Sequence, residues 1–264
     1  MQSRDLFDRV WPVVERARNA ILDVYASGDF STEEKSDHSP VTRADQASHG
    51  ILWEGLSPIL PKVPVISEEM GHGDPPYPAG EGLGFWLVDP LDGTKEFIRK
   101  NGEFTINVAL VDKMGFPLWG LVDVPLKART YVGGLGSAFW VERDHTVLLP
   151  TLRHLLPQDA RRVALSRSHQ GTVDEWLKGN QIPVAELVYA GSAVKFCWVA
   201  DGSVDLYVRL LPTMGWDTAA GQALIEAVGG SVVTLDGKRL NYHSFAEVNP
   251  SFVASAPVDH RGAE

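Results

Sequence analysis

Two aspartates separated by a proline and a leucine, Asp89-Pro90-Leu91-Asp92, run directly into Gly93 and Thr94. Their types and order suggest chemistry. On a tight turn, the two carboxylates and the Leu91 carbonyl aim at one point, the oxygen-only surroundings that a hard divalent cation takes. Gly93 lets the backbone approach a phosphate closely, and Thr94 adds a hydroxyl. A bare Asp-x-x-Asp is most often a surface turn that caps a helix, so further acids must converge on it. Ser67-Glu68-Glu69 ends the preceding apolar run, and Trp216-Asp217-Thr218-Ala219-Ala220-Gly221 opens a later helical pattern. Adjacent acids after an apolar run are usually solvated, and an aspartate at a helix start ordinarily caps it. The small residues behind Asp217 allow close packing, and a helix N-terminus favours phosphate.

These acids need elements that carry them to one place. Leu6, Val10, Val13, Val14, Ala17, Ile21 and Val24 recur at helical spacing and predict a helix over Asp5 to Tyr25. A second helix is expected from near Asp45, closed by Pro61 and Pro64. Pro64 to Ser67 and Phe85 to Val88 read as strands that deliver Glu68 and Asp89, with a Gly/Pro-rich loop, Gly71 to Gly84, between them. Phe104 to Val111, Leu118 to Val124 and Thr130 to Gly133 alternate as antiparallel strands do. Beyond Pro150 short strands alternate with helices: Arg162 to Ser166, Val173 to Lys178, Val184 to Tyr189, Ala193 to Ala200 and Asp205 to Val208, a βαβ-like pattern. Trp216 to Val228 reads as a helix stopped by Gly229 and Gly230, before a strand at Val232 to Leu235 and a turn at Asp236-Gly237. No internal repeat or low-complexity tract is evident.

The chain has 264 residues, is 44% hydrophobic and carries a formal charge of -10. That length fits one large domain or two halves sharing a core. Acidity argues against nucleic acid as partner, which needs clustered Lys and Arg. No apolar run approaches the roughly 20 residues of a membrane span. Residues Met1 to Asp5 do not read as a secretory leader, and the lone Cys197 excludes an internal disulfide. A cytoplasmic protein acting on a small molecule is expected, with oligomeric state and association with the inner membrane left open. Bound divalent ions can reverse the local field of an acidic protein and admit an anionic ligand.

The combination PVISEE, WLVDPLDGTKEF and WDTAAG followed by GG resembles the inositol monophosphatase-like superfamily of Mg2+-dependent, lithium-sensitive phosphatases, over nearly the whole chain. Within it, the sequence is most similar to bacterial 3'(2'),5'-bisphosphate nucleotidases. The residues that carry this are Ser39-Pro40-Val41-Thr42 with Asp45, Lys95-Glu96-Phe97, Ser166-Arg167-Ser168-His169, Gly191-Ser192 with Lys195-Phe196-Cys197, and Asp205-Leu206-Tyr207 with Arg209. Leu210-Leu211 and Gly215 depart from that branch, which bears on nucleotide fit more than on metal binding.

The resemblance implies a layered αβαβα sandwich, part α+β and part α/β. Residues 1-150 would form an N-terminal half with an antiparallel sheet and most metal ligands. Residues 151-264 would form a C-terminal α/β half with Asp217 and the substrate-recognition residues. It implies two Mg2+ ions: Glu68, Asp89 and the Leu91 carbonyl hold the first; Asp89, Asp92 and Asp217 hold the second. Asp45 tunes a water shell or a weaker third ion near Glu68. Glu68 and Thr94 orient and help deprotonate the attacking water, and Asp45 is counted with them as catalytic. Leu91, Asp92, Gly93, Thr94 and Asp217 line the scissile phosphate; Ser166, His169, Gly191, Ser192, Lys195 and Arg209 recognise the rest of the nucleotide. The implied reaction removes the 3'-phosphate of adenosine 3',5'-bisphosphate to give AMP, with the sulfated analogue as a further substrate and a place in sulfur metabolism. An inositol or sugar monophosphatase is the alternative, and a catalytically weak Mg2+-dependent nucleotide-binding protein a second. Lys195 and Arg209 could equally be surface cations, and Cys197 and the tryptophans are expected in the core or at its edge.

Overall fold

The computed structural model describes the chain except for residues 35–39, 71–83, 153–154, 157, 168–169, 244–247 and 258–264. The expected Gly/Pro-rich loop therefore lies almost wholly outside the described residues, as does His169.

The periodic apolar residues at the start of the chain form α1 (Ser3–Ser27), and every one of them is buried. Gly28 ends it at φ 72 with its amide on the Val24 carbonyl, the glycine stop that a left-handed residue provides. Two short strands, β1 (Glu33–Glu34) and β2 (Pro40–Val41), pair antiparallel ahead of α2 (Arg43–Leu56). Next comes the seven-stranded sheet: β3 (Val65–Ser67), β4 (Phe85–Asp92), β5 (Thr105–Val111), β6 (Pro117–Val124), β7 (Arg129–Gly134), β8 (Ser137–Glu142) and β9 (His145–Leu148). The strands stand in sequence order. Only the β3–β4 pair is parallel; the others are antiparallel. A short helix, α3 (Thr94–Ile98), follows β4.

A second sheet is built from β10 (Arg161–Ser166), β11 (Val184–Ala190), β12 (Leu206–Arg209), β13 (Ser231–Thr234) and β14 (Phe252–Ser255), in the order β11-β10-β12-β14-β13. β10 runs parallel to both β11 and β12, as the alternation predicts, whereas β14 is antiparallel to β12 and β13. Its helices are α4 (Gln170–Gly179), α5 (Val194–Ala200) and α6 (Gly215–Ala227).

Three apolar clusters define the layers. α1 and α2 cover one face of the seven-stranded sheet through Leu6, Val10, Leu52, Trp86 and Ile106. The other face packs on α5 and α6, which also cover the five-stranded sheet, through Leu87, Val122, Phe196, Leu224 and Phe252. α4 closes the outside through Val173 and Leu177 against Val163 and Leu206. The result is the αβαβα sandwich. The middle layer fits because small residues face it: a Cβ at Gly120 would stand 2.3 Å from the Ala220 carbonyl oxygen. Cys197 is buried in that layer, and Trp86 and Trp119 are buried under α1 and α2. Among the described residues, no helix is long and apolar enough to cross a membrane.

Candidate metal centre and substrate cleft

The parallel β3–β4 pair sets Ser67 beside Val88, and the Glu68 amide continues the ladder to the Val88 carbonyl at 3.1 Å. Glu68 and Asp89 thus leave neighbouring strands at the same level. The Asp89–Asp92 segment, expected as a turn beyond the strand, instead continues β4, with the register against β5 shifting between these two residues. Such a bulge bends the strand and re-aims its side chains. Pro90, which lacks an amide hydrogen, is tolerated there. The Asp89 carboxylate accepts the Leu91 amide at 3.0 Å, and the Pro90 carbonyl accepts the Ser48 hydroxyl at 2.8 Å.

Asp217 arrives from the middle layer, in the first turn of α6, where one carboxylate oxygen accepts the Met214 amide at 2.8 Å. Capping uses Oδ2 alone, so the cap does not by itself occupy Oδ1. Oxygens of Glu68, Asp89 and Asp217 lie within 4.8 Å of one another. Asp92 does not complete the group at that spacing. Its Oδ2 is held by the Asn107 side-chain amide at 3.2 Å and faces the Thr105 hydroxyl at 3.4 Å.

Asp45 is buried and occupies the third position of α2, where Oδ2 accepts the Thr42 amide at 2.8 Å and the Thr42 hydroxyl at 2.6 Å. Its Oδ1 accepts the Thr94 hydroxyl at 3.0 Å. Both oxygens accept from protein donors, which places Asp45 beside the Thr94 hydroxyl and ties it to the start of α2. The Thr94 hydroxyl also lies 3.4 Å from the Leu91 carbonyl oxygen. Gly93, at φ 95, makes the bend between β4 and α3.

A cleft of about 260 Å³ adjoins the acids, with Asp92, Gly93 and Asp217 in its lining beside Ser166, Arg167, Gly191, Ser192, Lys195 and Arg209. Lys195 is buried rather than a surface cation. Its ammonium donates to the carbonyls of Ala190 at 3.0 Å and Ser192 at 2.6 Å, leaving one N–H. Arg209 is likewise built in: its guanidinium donates to Ser166 Oγ at 2.6 Å and to the Leu211 and Pro212 carbonyls. Ser166 is thereby tied to Arg209.

Burial, with Glu68, Asp92 and Asp217 close by, holds the Asp89 carboxyl well above the usual range. Burial, with Asp92 next in weight, raises Asp217 to about 8. Burial raises Asp92 to about 6 against the opposing pull of Lys195 and Asn107. It lowers Lys195 to about 8 although Asp92 favours its charge. Crowding of this kind opposes full ionisation of Asp89, Asp92 and Asp217, and a bound cation would relieve it. An all-oxygen set of three carboxylates suits Mg2+, a hard ion that binds through carboxylates and water, so the residues fit the ion.

Sequence reasoning missed Thr105, Asn107 and Glu103, and named Thr42 only as part of the run before Asp45. Thr105 and Asn107 were discoverable as polar residues two apart within an apolar strand, which places them on one face. Glu103, in a polar loop, gave no such signal.

A five-layer sandwich with a carboxylate centre where the first sheet meets α6 defines a known class: residues 11–262 match the model of the inositol monophosphatase family, and the chain belongs to that family. The 3'(2'),5'-bisphosphate nucleotidase CysQ of Escherichia coli (strain K12) is 40% identical over 259 residues, covering 95% of this chain and 99% of that protein. The crystal structure of CysQ from Bacteroides thetaiotaomicron, a bacterial member of the family, matches with a TM-score of 0.76 and 31% identity, covering 96% of this chain and 97% of that one. Inositol monophosphatase II from Staphylococcus aureus MSSA476, with a TM-score of 0.76 at 20% identity over 96% of this chain and 89% of that one, shares the fold.

Proposed function

We propose that this chain is a Mg2+-dependent phosphomonoester hydrolase that removes the 3'-phosphate of adenosine 3',5'-bisphosphate, and of its sulfated analogue. The grouping of Glu68, Asp89 and Asp217 oxygens within 4.8 Å beside a cation-lined cleft carries the hydrolase reading. The near full-length likeness to the CysQ nucleotidases supports the substrate. Residues 1–150 are read as the half that holds most metal ligands, and 151–264 as the half that supplies Asp217 and the nucleotide contacts.

Glu68, Asp89, the Leu91 carbonyl, Asp92 and Asp217 would hold two ions. When bound, Mg2+ acidifies a water, neutralises phosphate charge and stabilises the departing ribose oxygen. The chain's own groups complete the arrangement. Thr94, its hydroxyl proton given to Asp45, accepts a hydrogen bond from the attacking water, and Glu68 orients that water from the other side. Gly93 and Thr94 offer the first-turn amides of α3, which have no partner within the helix, to the phosphate oxygens. Lys195 stiffens the cleft wall and directs its remaining N–H, with Ser192, toward the nucleotide. Arg209 keeps Ser166 in place. A cytoplasmic site of action agrees with one buried cysteine.

The test is phosphate release from adenosine 3',5'-bisphosphate, inositol 1-phosphate and fructose 1,6-bisphosphate, each with Mg2+, EDTA or lithium. The nucleotide should be preferred, EDTA should stop the reaction and lithium should inhibit it. A clear preference for inositol 1-phosphate would reject the nucleotide assignment, and release that survives EDTA would reject the metal.

A further inference from the structure

The turn that leaves β11, Ala190-Gly191-Ser192, is gripped from two sides by groups of opposite charge. On one side, Lys195 takes the carbonyls of Ala190 and Ser192. On the other, Glu103, in the loop before β5, accepts the Gly191 amide at 2.8 Å. The same Glu103 carboxylate receives Arg167 Nε at 2.7 Å and a second bond from Arg167 Nη2. Arg167 directly follows β10, whose last residue, Ser166, is in register with Ala190 of β11. One carboxylate from the loop that leads into the seven-stranded sheet is therefore bonded at the adjacent carboxyl ends of two parallel strands in the other sheet. In open α/β sheets this is the edge where ligands bind.

The gripped turn is conformationally costly. Ser192 sits at φ 45, in the left-handed region that residues with a Cβ avoid. Its Oγ is buried with no hydrogen-bond partner among the described residues, although buried hydroxyls are almost always paired. Ser192 also lines the cleft beside Gly93 and Lys195. No Cβ fits at Gly191, where one would stand 2.7 Å from Glu96 Cγ and 3.0 Å from the Glu103 carbonyl oxygen. A backbone strained in this way persists only where its surroundings over-determine it. Lys195 on the carbonyls and Glu103 on the amide do so, and the unpaired hydroxyl at the end of the turn is the group they set in place.

We propose that Glu103 is a positioning residue for substrate recognition: across the cleft it fixes the Gly191-Ser192 turn so that the Ser192 hydroxyl meets the nucleotide, with Arg167 as its counter-ion. This deepens the nucleotidase reading and rests on it. Arg167 is more exposed than Glu103, with side chains 51% and 21% accessible, so the pair's own attraction is screened and the bond to Gly191 is the one that matters to the turn.

The experiment compares the full chain with Glu103→Ala, Glu103→Gln and Arg167→Ala, using steady-state kinetics on adenosine 3',5'-bisphosphate with Mg2+ and hydrogen exchange at the Gly191 amide. In Glu103→Ala, KM should rise about tenfold or more with kcat changed less than about threefold, the pattern of lost binding rather than lost chemistry. Its Gly191 amide should exchange faster. Glu103→Gln, which keeps an acceptor for Gly191, should restore both properties, and Arg167→Ala should keep the amide protected. If Glu103→Ala does not fold, Glu103→Asp, one methylene too short to reach, should lose protection and raise KM in the same way. A folded Glu103→Ala with unchanged KM and unchanged protection overturns the proposal, as does an equal loss in kcat and kcat/KM. The exchange measurement needs no substrate. A wild-type chain inert to the nucleotide would thus sink the proposed reaction, while Gly191 still decides whether Glu103 holds the turn.

Discussion

The Thr94 hydroxyl donates to Oδ1 of Asp45 over 3.0 Å, while the other oxygen of Asp45 is fixed by Thr42 at the start of α2. With its proton directed at Asp45, the Thr94 oxygen is an acceptor toward anything on its far side.

Removing that acceptor should separate chemistry from ion binding. Thr94→Ala is expected to lower kcat by about 10²-fold or more, in the range of a lost general-base arrangement, while the Mg2+ concentration for half-maximal thermal stabilisation stays near the wild-type value. Asp45→Asn should behave similarly. A coincident loss of Mg2+ stabilisation would make Asp45 an ion ligand instead.

Asp92→Asn should bring turnover below detection with the fold retained. The side chain lies at the cleft, held by Asn107, and removing a ligand charge requires no repacking of the core. Circular dichroism and phosphate release on the same sample check this; near-normal activity in a folded variant would remove Asp92 from the cluster.

For Asp217→Asn, the amide oxygen can still accept from Met214, so the start of α6 should survive. The rise in melting temperature on adding Mg2+ should shrink or vanish, because the residual carboxylates no longer close around the ion. Calorimetric titration with Mg2+ would read the change directly, and wild-type affinity would argue against Asp217 as a ligand.

The raised carboxyls give a pH signature. Asp92 at about 6 and Asp217 at about 8 lie above the roughly 3.9 of an unfolded aspartate. The metal-free folded state therefore binds more protons than the unfolded state, so its stability falls as pH rises from near 4 through these values. Between pH 5 and 8.5 in EDTA, the melting temperature should decline more steeply in the wild type than in Asp217→Asn. Mg2+ selects the ionised form, and its stabilising effect should grow over the same interval. A flat wild-type profile, or an Mg2+ effect larger at pH 5, would contradict the crowding of these acids.

Much of the fold was legible because apolar residues are patterned. The helical spacing in α1 reported its buried face directly, β5 and β6, buried on both faces, stood out as apolar runs between turn residues, and the helix of Asp217 announced itself through small residues ending at glycines. β9 escaped because all four of its residues are exposed, so it has no buried face to alternate with. β8 buries two neighbouring residues, Ala138 and Phe139, instead of alternate ones, and β14 has one large apolar residue, Phe252, at its buried positions. The five residues of α3 are too few for a helical period to accumulate. Pro90 concealed the end of β4, since a proline inside an apolar run reads as a turn when no bulge can be foreseen. The acids of the site were recognisable by motif, but Glu103 was not, because its partners, Arg167 and Gly191, follow β10 and β11 and only the tertiary arrangement brings them within reach.

Gly120 admits α6 so closely that its missing side chain would meet the Ala220 carbonyl. On the side that meets Gly120 the helix is a spacer whose approach is set by backbone atoms, and Asp217 rides at its tip. Swelling that spacer by a single methyl group would push the tip away from the strand end that bears Asp89. Ion affinity should therefore act as a gauge of interior dimensions, responding to substitutions that touch neither ion nor nucleotide.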